Sequence, residues 1–376
     1  MIQMLLTTVP LMACLFTTVN LFLEQKRLNR QNLPMRWLTA WAIAATLLYM
    51  GHLIYFQRQT EWIPVSDTVY VAMNLCVYPL YLIYISELTE GKPYSTRPLI
   101  LAWLLGPSIL GGIACGILYF SMNPQENTDF IIHYLYHNNY AYLKGEANIL
   151  AMTHQVCRMI FCLQVIIVAV IGTRKIKKYH DTINQLYADT ENKEVRGIHM
   201  LLILFVATSV CSIIFNIIGR YCFINSLWLS IPSLSFTILL FLIGWYGMHQ
   251  HFTMSDVIEQ HPEEAIAANI FTSIDKNVLC TQLDQLMKEK KLFLEHDLRL
   301  EQVTRELGTN RTYLLQALKE GMDMTFKEYI NRLRIAYAEK LMKNNPSLTK
   351  SDIATMSGYN TQSSFYRNYN SYKSTR

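Results

Sequence analysis

Two regimes of hydrophobic patterning divide the chain. Up to about residue 248 the apolar positions form long unbroken runs, and seven stand out: 2–23, 37–56, 68–88, 98–121, 149–172, 198–219 and 227–248. Each is long enough, as a helix, to cross the roughly 30 Å hydrocarbon layer of a bilayer. Beyond about residue 275 the runs give way to apolar residues spaced three and four apart, the mark of amphipathic helices with one buried face. The pattern predicts an all-α chain: a seven-helix transmembrane bundle followed by a helical water-facing region.

The last eighty residues carry the sharper pattern. Leu300, Val303 and Leu307 share one helical face, Gly308 supplies a turn, and Asn310 is placed to cap a second helix buried through Leu314, Ala317 and Leu318. The plan repeats further on. Ser351 is expected to cap a short helix carrying Ile353 and Ala354, Gly358-Tyr359-Asn360 makes the turn, and Phe365 and Tyr369 anchor the helix that follows. Between the two pairs, Phe326, Tyr329, Ile330, Leu333, Tyr337 and Leu341 stripe a long helix that Pro346 ends.

These blocks, LEQVTRELGTNRTYLLQALKE (300–320), MTFKEYINRLRIAYAEKLM (324–342) and SDIATMSGYNTQSSFYRNY (351–369), resemble the DNA-binding domain of the AraC/XylS family of bacterial transcription regulators. The resemblance implies an AraC-like double helix-turn-helix, with two recognition helices held about one DNA turn, roughly 34 Å, apart. By position on the motif it assigns Arg311, Thr312, Leu315 and Gln316 on the first recognition helix, and Gln362, Ser363 and Arg367 on the second, to base or backbone contacts; Lys319 and Lys327 fall to phosphate or solvent. The chemistry suits the assignment. Gln offers adenine a paired donor and acceptor, Leu315 a surface for a thymine methyl, and Arg367 a bidentate fork for guanine. One departure stands out: the family pattern continues past the second recognition helix into a Thr-Gly-x-Thr-Pro turn and a closing helix, whereas here Tyr369 is followed only by Asn370 to Arg376. That departure leaves the packing and affinity of the second unit as questions for the structure.

Charge fixes an orientation. The loops after runs one, three and five hold Lys26, Arg27, Arg30, Arg36, Lys92, Arg97, Arg174, Lys175, Lys177, Lys178, Lys193 and Arg196, against only Arg58, Lys144 and Arg220 after runs two, four and six. Basic loops stay in the cytoplasm, so the N-terminus is expected outside and everything after Met248 inside, in a bacterial inner membrane. The first run has no basic start and is followed by Glu24-Gln25-Lys26-Arg27, which reads as a retained span rather than a cleaved signal. Domain bounds follow: 1–248 as sensor and anchor, 249–296 as linker, 297–376 as DNA reader. In the linker, His261-Pro262 breaks the chain, and helices are expected at 263–270 and 275–292. Leu279, Leu283 and Leu286 on the second give either a pairing helix or one that packs on the reader.

Other chemistry is sparse. The eight cysteines lie mostly inside apolar runs with no C-x-x-C, so no metal or cofactor is expected, and no H-E-x-x-H, G-x-S-x-G or nucleotide-binding glycine motif points to an enzyme. Run seven holds no lysine, which excludes a retinal Schiff base there. Ionisable or amide groups inside lipid mark functional positions, and His52, Asn74, His154, Arg158, Asn216 and Arg220 are those candidates. His154 and Arg158, four apart near the outer end of run five, are the favoured signal contact. The outer loop around FIIHYLYHNNYAYL (130–143) suits the membrane interface or a ligand-contacting surface. The reading is a membrane-bound, sequence-specific transcription regulator. Its expected partners are double-stranded DNA, the lipid bilayer, RNA polymerase, a second copy of the chain, and a small-molecule or envelope signal. A seven-span transporter or membrane enzyme with a regulatory tail is the alternative.

Overall fold

A computed structural model describes residues 2–28, 33–90, 97–186, 227–248 and 276–374, with isolated positions between 203 and 223. Among the described residues the chain is all-α, with no β-strand. It divides into two compact units: Met1–Ile176 with Val195–Ser255, and Lys177–Glu194 with Asp256–Arg376.

The first unit contains α1 (Ile2–Leu28), α2 (Leu33–Phe56), α3 (Ile63–Glu90), α4 (Pro98–Ser121), the short α5 (Pro124–Asp129), α6 (Gly145–Leu186, whose first part belongs here) and α7 (Ser230–Met248). Six of the described helices are long and apolar enough to cross a membrane, and they fall on six of the seven apolar runs. The remaining run, 198–219, lies for the most part outside the described residues. Within it Ile203, Ala207, Val210 and Ile214 are helical and exposed at steps of four, three and four, and Ser209 is buried. The polar residues of run five do not interrupt α6, which continues for 42 residues, about 63 Å at the α-helical rise.

Neighbouring helices pair as α1 with α2, α2 with α3, α3 with α4, and α1 with α7. Helix α3 is the centre: 67% of its most apolar stretch is buried, against 22% for α4. The surface of α4 is apolar instead, with Leu99 77%, Trp103 84% and Phe120 94% exposed. Glycine lets α3 and α4 close up. A Cβ on Gly112 would sit 2.8 Å from the Cβ of Ala72, so any side chain there forces the two helices apart. Packed rings fill the interior, Trp41 and Tyr81 among them at a centroid separation of 5.9 Å. Polar pairs tie helix to helix: the Thr18 and Thr46 hydroxyls at 3.1 Å, Gln25 donating to Thr39 Oγ1 at 2.6 Å, Trp37 donating to Glu87 at 3.2 Å, and Lys175 with Glu90.

The 122–148 segment is a folded cap rather than an open loop. Asn123 and Glu126 form a reciprocal capping box that starts α5, and a π-helical turn, Phe130–Leu135, follows. Phe130, Ile131 and Tyr134 are buried, and the Tyr55 hydroxyl donates to the Leu135 carbonyl at 2.7 Å.

The second unit contains α8 (Lys276–Lys290), α9 (Leu300–Leu307), α10 (Arg311–Met322), α11 (Phe326–Asn344), α12 (Lys350–Met356) and α13 (Gln362–Ser374). The predicted 263–270 helix lies outside the described residues. Of the two roles open to the linker helix, α8 takes packing: Leu279, Leu283, Leu286 and Met287 are buried, and it lies against α10 and α9. Cys280 Sγ reaches the Ala317 carbonyl at 3.4 Å, and the Tyr329 hydroxyl donates to Asp284 at 2.6 Å. Burial, then donation to that carboxylate, pushes the Tyr329 phenol well above its usual range, so it remains a donor.

Two expectations need correction. The cap of α12 is Thr349, not Ser351: the Thr349 hydroxyl and the Asp352 carboxylate satisfy each other's backbone N–H groups, and Ser351 is exposed inside the first turn. A threonine followed three residues later by a carboxylate outcompetes a lone serine, because it satisfies two orphan donors at once. The stripe of α11 also turns. Phe326, Tyr329 and Ile330 are fully buried as expected, but further along it is Arg334, Ile335 and Ala338 that are buried while Leu333, Tyr337 and Leu341 are half-buried. Leu307 of α9 is half-buried too. The second pair of helices closes its own core from Ala338, Ile353, Ala354, Tyr359 and Phe365, which answers the packing question raised by the short sequence after Tyr369.

Candidate nucleic-acid interface

Helices α9 and α10 meet at a sharp turn. Gly308 takes the left-handed conformation (φ +61°), and the Asn310 side chain accepts from the Tyr313 N–H at 2.9 Å to start α10. Leu314, Ala317 and Leu318 are then fully buried. Their burial fixes the opposite face. Thr312, Gln316 and Lys319 are exposed, and Arg311 and Leu315 are half-buried beside them. All five predicted residues of this helix therefore share one outward surface. Gln316 donates to Glu320 at 2.8 Å, so its amide must exchange that partner before it can read a base.

Helices α12 and α13 repeat the geometry. Gly358 is left-handed (φ +85°), Thr361 accepts from the Ser364 N–H at 3.1 Å, and Phe365 is buried against Tyr359 with ring centroids 5.4 Å apart. Gln362, Ser363 and Arg367 are exposed on the other side of α13. Two lysines add charge near them: Lys350 lies 5.7 Å from the Tyr366 ring and Lys373 4.8 Å from the Tyr369 ring. From His296 onward Lys and Arg number 13 and Asp and Glu 8, a formal +5, which favours phosphate.

A residue outside the predicted set positions this surface. Arg334, on α11, is fully buried. Its Nε donates to the Phe293 carbonyl at 2.7 Å, an Nη donates to the Glu295 carbonyl at 2.6 Å, and its guanidinium lies 5.4 Å from the centre of the Tyr359 ring. One side chain thus links the segment before α9, the long helix and the turn before α13. Gly358 is part of the same joint, since a Cβ there would come within 2.8 Å of the Phe293 carbonyl oxygen. The sequence signal was an arginine inside the Tyr-Ile-x-x-Leu-Arg block, where helical spacing points it inward.

The predicted signal residues sit in the other unit. His154 is buried, with Nε2 3.1 Å from Asp67 Oδ2, and the Tyr119 hydroxyl donates to the same carboxylate oxygen at 2.9 Å. The imidazole meets the edges or faces of Phe130 at 5.5 Å and Tyr134 at 5.9 Å. Arg158, one turn on, is half-buried, and its neighbour Gln155 donates to the Tyr140 hydroxyl. Asp67 was missed because run three was drawn from residue 68, whereas α3 begins at Ile63; Tyr119 lay inside run four, where nothing in its spacing pointed to a carboxylate on another helix. Among the described residues no cluster of His, Cys, Asp and Glu has the arrangement of a metal site.

Residues 303–375 match the family described as a helix-turn-helix domain. No curated protein and no solved structure matches the chain. The match, together with the outward faces of α10 and α13, makes the C-terminal region a DNA-binding helix-turn-helix domain of the AraC type, the kind that carries transcription regulation.

Proposed function

We propose that this chain is a membrane-bound transcription regulator that reads DNA with two helix-turn-helix units and responds to a signal received in its bundle. Residues 1–248 act as sensor and anchor, 249–296 as linker and 297–376 as reader. The observation that carries the reading is the pair of outward faces: Arg311, Thr312, Leu315, Gln316 and Lys319 on one helix, Gln362, Ser363 and Arg367 on the other, each opposite a fully packed side. The basic loops after runs one, three and five support an orientation in which seven spans leave the reader in the cytoplasm of a bacterium, with DNA and RNA polymerase. The exposed Leu99, Trp103 and Phe120 support lipid contact, since water would not tolerate an apolar surface of that extent. A second copy of the chain would double the sites read and tighten binding through effective concentration.

Signal reception is assigned to His154 and Arg158 under the 122–148 cap. An ionisable group in a span is kept only where it serves the interior of a bundle, and His154 joins three helices through Asp67 and Tyr119. The test is footprinting of the full chain in lipid nanodiscs on DNA upstream of the genes it controls. Arg367→Ala should cost about 1–3 kcal/mol at the native site and leave random-sequence binding nearly unchanged. Equal losses on both would reduce Arg367 to a phosphate contact, and absence of any protected sequence would end the regulator reading.

A further inference from the structure

The first unit holds a cavity lined by two of the polar positions singled out in the sequence, His52 and Asn74, and not by the favoured pair His154 and Arg158. Its walls come from α2, α3, α6, α7 and the buried Ser209. Six rings form most of the surface: Trp41, Tyr49, Tyr70, Tyr78, Phe161 and Phe236. Three polar side chains interrupt them, Ser209, His52 and Asn74. His52 is held among aromatic neighbours, edge-on to Tyr70 at 5.0 Å and tilted against Tyr49 at 5.6 Å. Asn74 opens onto the cavity from α3, with no hydrogen-bond partner among the described residues. Among the described residues no Asp, Glu, Lys or Arg lines it.

Each feature constrains an occupant. The free volume is about 70 Å³; at 10–15 Å³ for each water-sized volume, that is room for roughly one six-membered ring. Flat aromatic walls favour a flat apolar body over a branched one. A carboxamide inside a membrane span is costly unless something satisfies it, so the occupant must present a donor or an acceptor. A charged occupant would leave water with no fixed countercharge among the described residues to meet it. We infer that this cavity is the binding site of a small uncharged ring compound bearing one hydrogen-bonding group, of phenol size, held between the rings and bonded to Asn74 or His52.

One wall of the cavity belongs to the helix that carries Asp67, the neighbour of His154. Asp67, Tyr70 and Asn74 are three and four residues apart on α3, which places them along one side. An occupant that shifts Asn74 and Tyr70 therefore moves the helix that carries Asp67. This link deepens the sensor reading above and rests on it, whereas the site itself does not.

Saturation-transfer NMR and equilibrium dialysis on the full chain in nanodiscs test the site, with empty nanodiscs as the partition control. Phenol should bind saturably at one equivalent. Ala45→Phe, which fills the cavity from the buried wall of α2, should weaken binding at least tenfold. Asn74→Leu should weaken phenol about tenfold while leaving toluene within twofold, and this variant carries the test if Ala45→Phe fails to fold. Benzoate and phenyltrimethylammonium should not saturate. Absence of saturable phenol binding to the unmodified protein, or binding untouched by both variants, overturns the site; tight binding of either ion overturns its chemical class. DNA affinity is measured in parallel. Saturable phenol binding that leaves it unchanged supports the site and removes the sensor reading, while a shift of threefold or more upholds both.

Discussion

The two units of this protein expose opposite kinds of surface. In the C-terminal unit the inside is Leu283, Leu314, Phe326 and Phe365, and the charges lie outside. In the N-terminal unit large apolar side chains such as Trp103 and Phe120 face outward, and Asp67, Glu87 and His154 lie within. On the membrane reading proposed above, the difference follows from the surroundings rather than from the residues. Water rewards burial of apolar area, whereas lipid is indifferent to it and leaves packing and polar ties to hold helices together. Arg334 is the exception in the C-terminal unit, and it is tolerated because carbonyl oxygens and an aromatic face receive it.

That contrast can be broken or sharpened by substitution. The largest effect is expected from Arg334→Leu, which strands the Phe293 and Glu295 carbonyls. It should lower the stability of the C-terminal unit by about 3–5 kcal/mol, read as a drop in its melting midpoint; a loss under 1 kcal/mol would show that packing alone holds the joint. Next comes Trp103→Asp. Against lipid it should cost about 2 kcal/mol or more in bundle stability, whereas Met356→Asp, on the comparably solvent-facing surface of α12 (48% exposed), should stay within about 0.5 kcal/mol. Equal costs would mean that the face of α4 is not in lipid. Asp67→Asn removes the carboxylate that His154 and Tyr119 share and should cost about 1–2 kcal/mol in detergent unfolding, with the Tyr119 hydrogen bond partly preserved. The smallest effect is Thr349→Ala, about 1 kcal/mol from loss of the α12 cap, while Ser351→Ala should be neutral within about 0.5 kcal/mol.

Much of this architecture was readable from spacing. Runs of about twenty apolar residues located six long apolar helices, and three- and four-residue steps located α9 to α13 and the outward residues of α10 and α13. What spacing missed has particular causes. Asp67 was left outside its helix because a charged residue reads as loop, yet Tyr119 and His154 meet it from two other helices. The stripe along α11 was extended by hydrophobicity through Leu333 and Tyr337, which excluded an arginine from consideration as core. The place of α8 was undecidable from one sequence, since its Asp284–Tyr329 and Cys280–Ala317 contacts join residues far apart in the chain. The cavity beside His52 and Asn74 was invisible for the same reason. Both residues stood out as polar, but nothing in their order along the chain brings six rings around them.

The Arg334 joint has a consequence for how the reader comes apart. Because one guanidinium grips the strand of chain ahead of α9 and the corner ahead of α13, neither half can melt while the other keeps its grip. Heat or denaturant should remove both halves in one cooperative step, and damage near Gly358 should silence contacts made by α10.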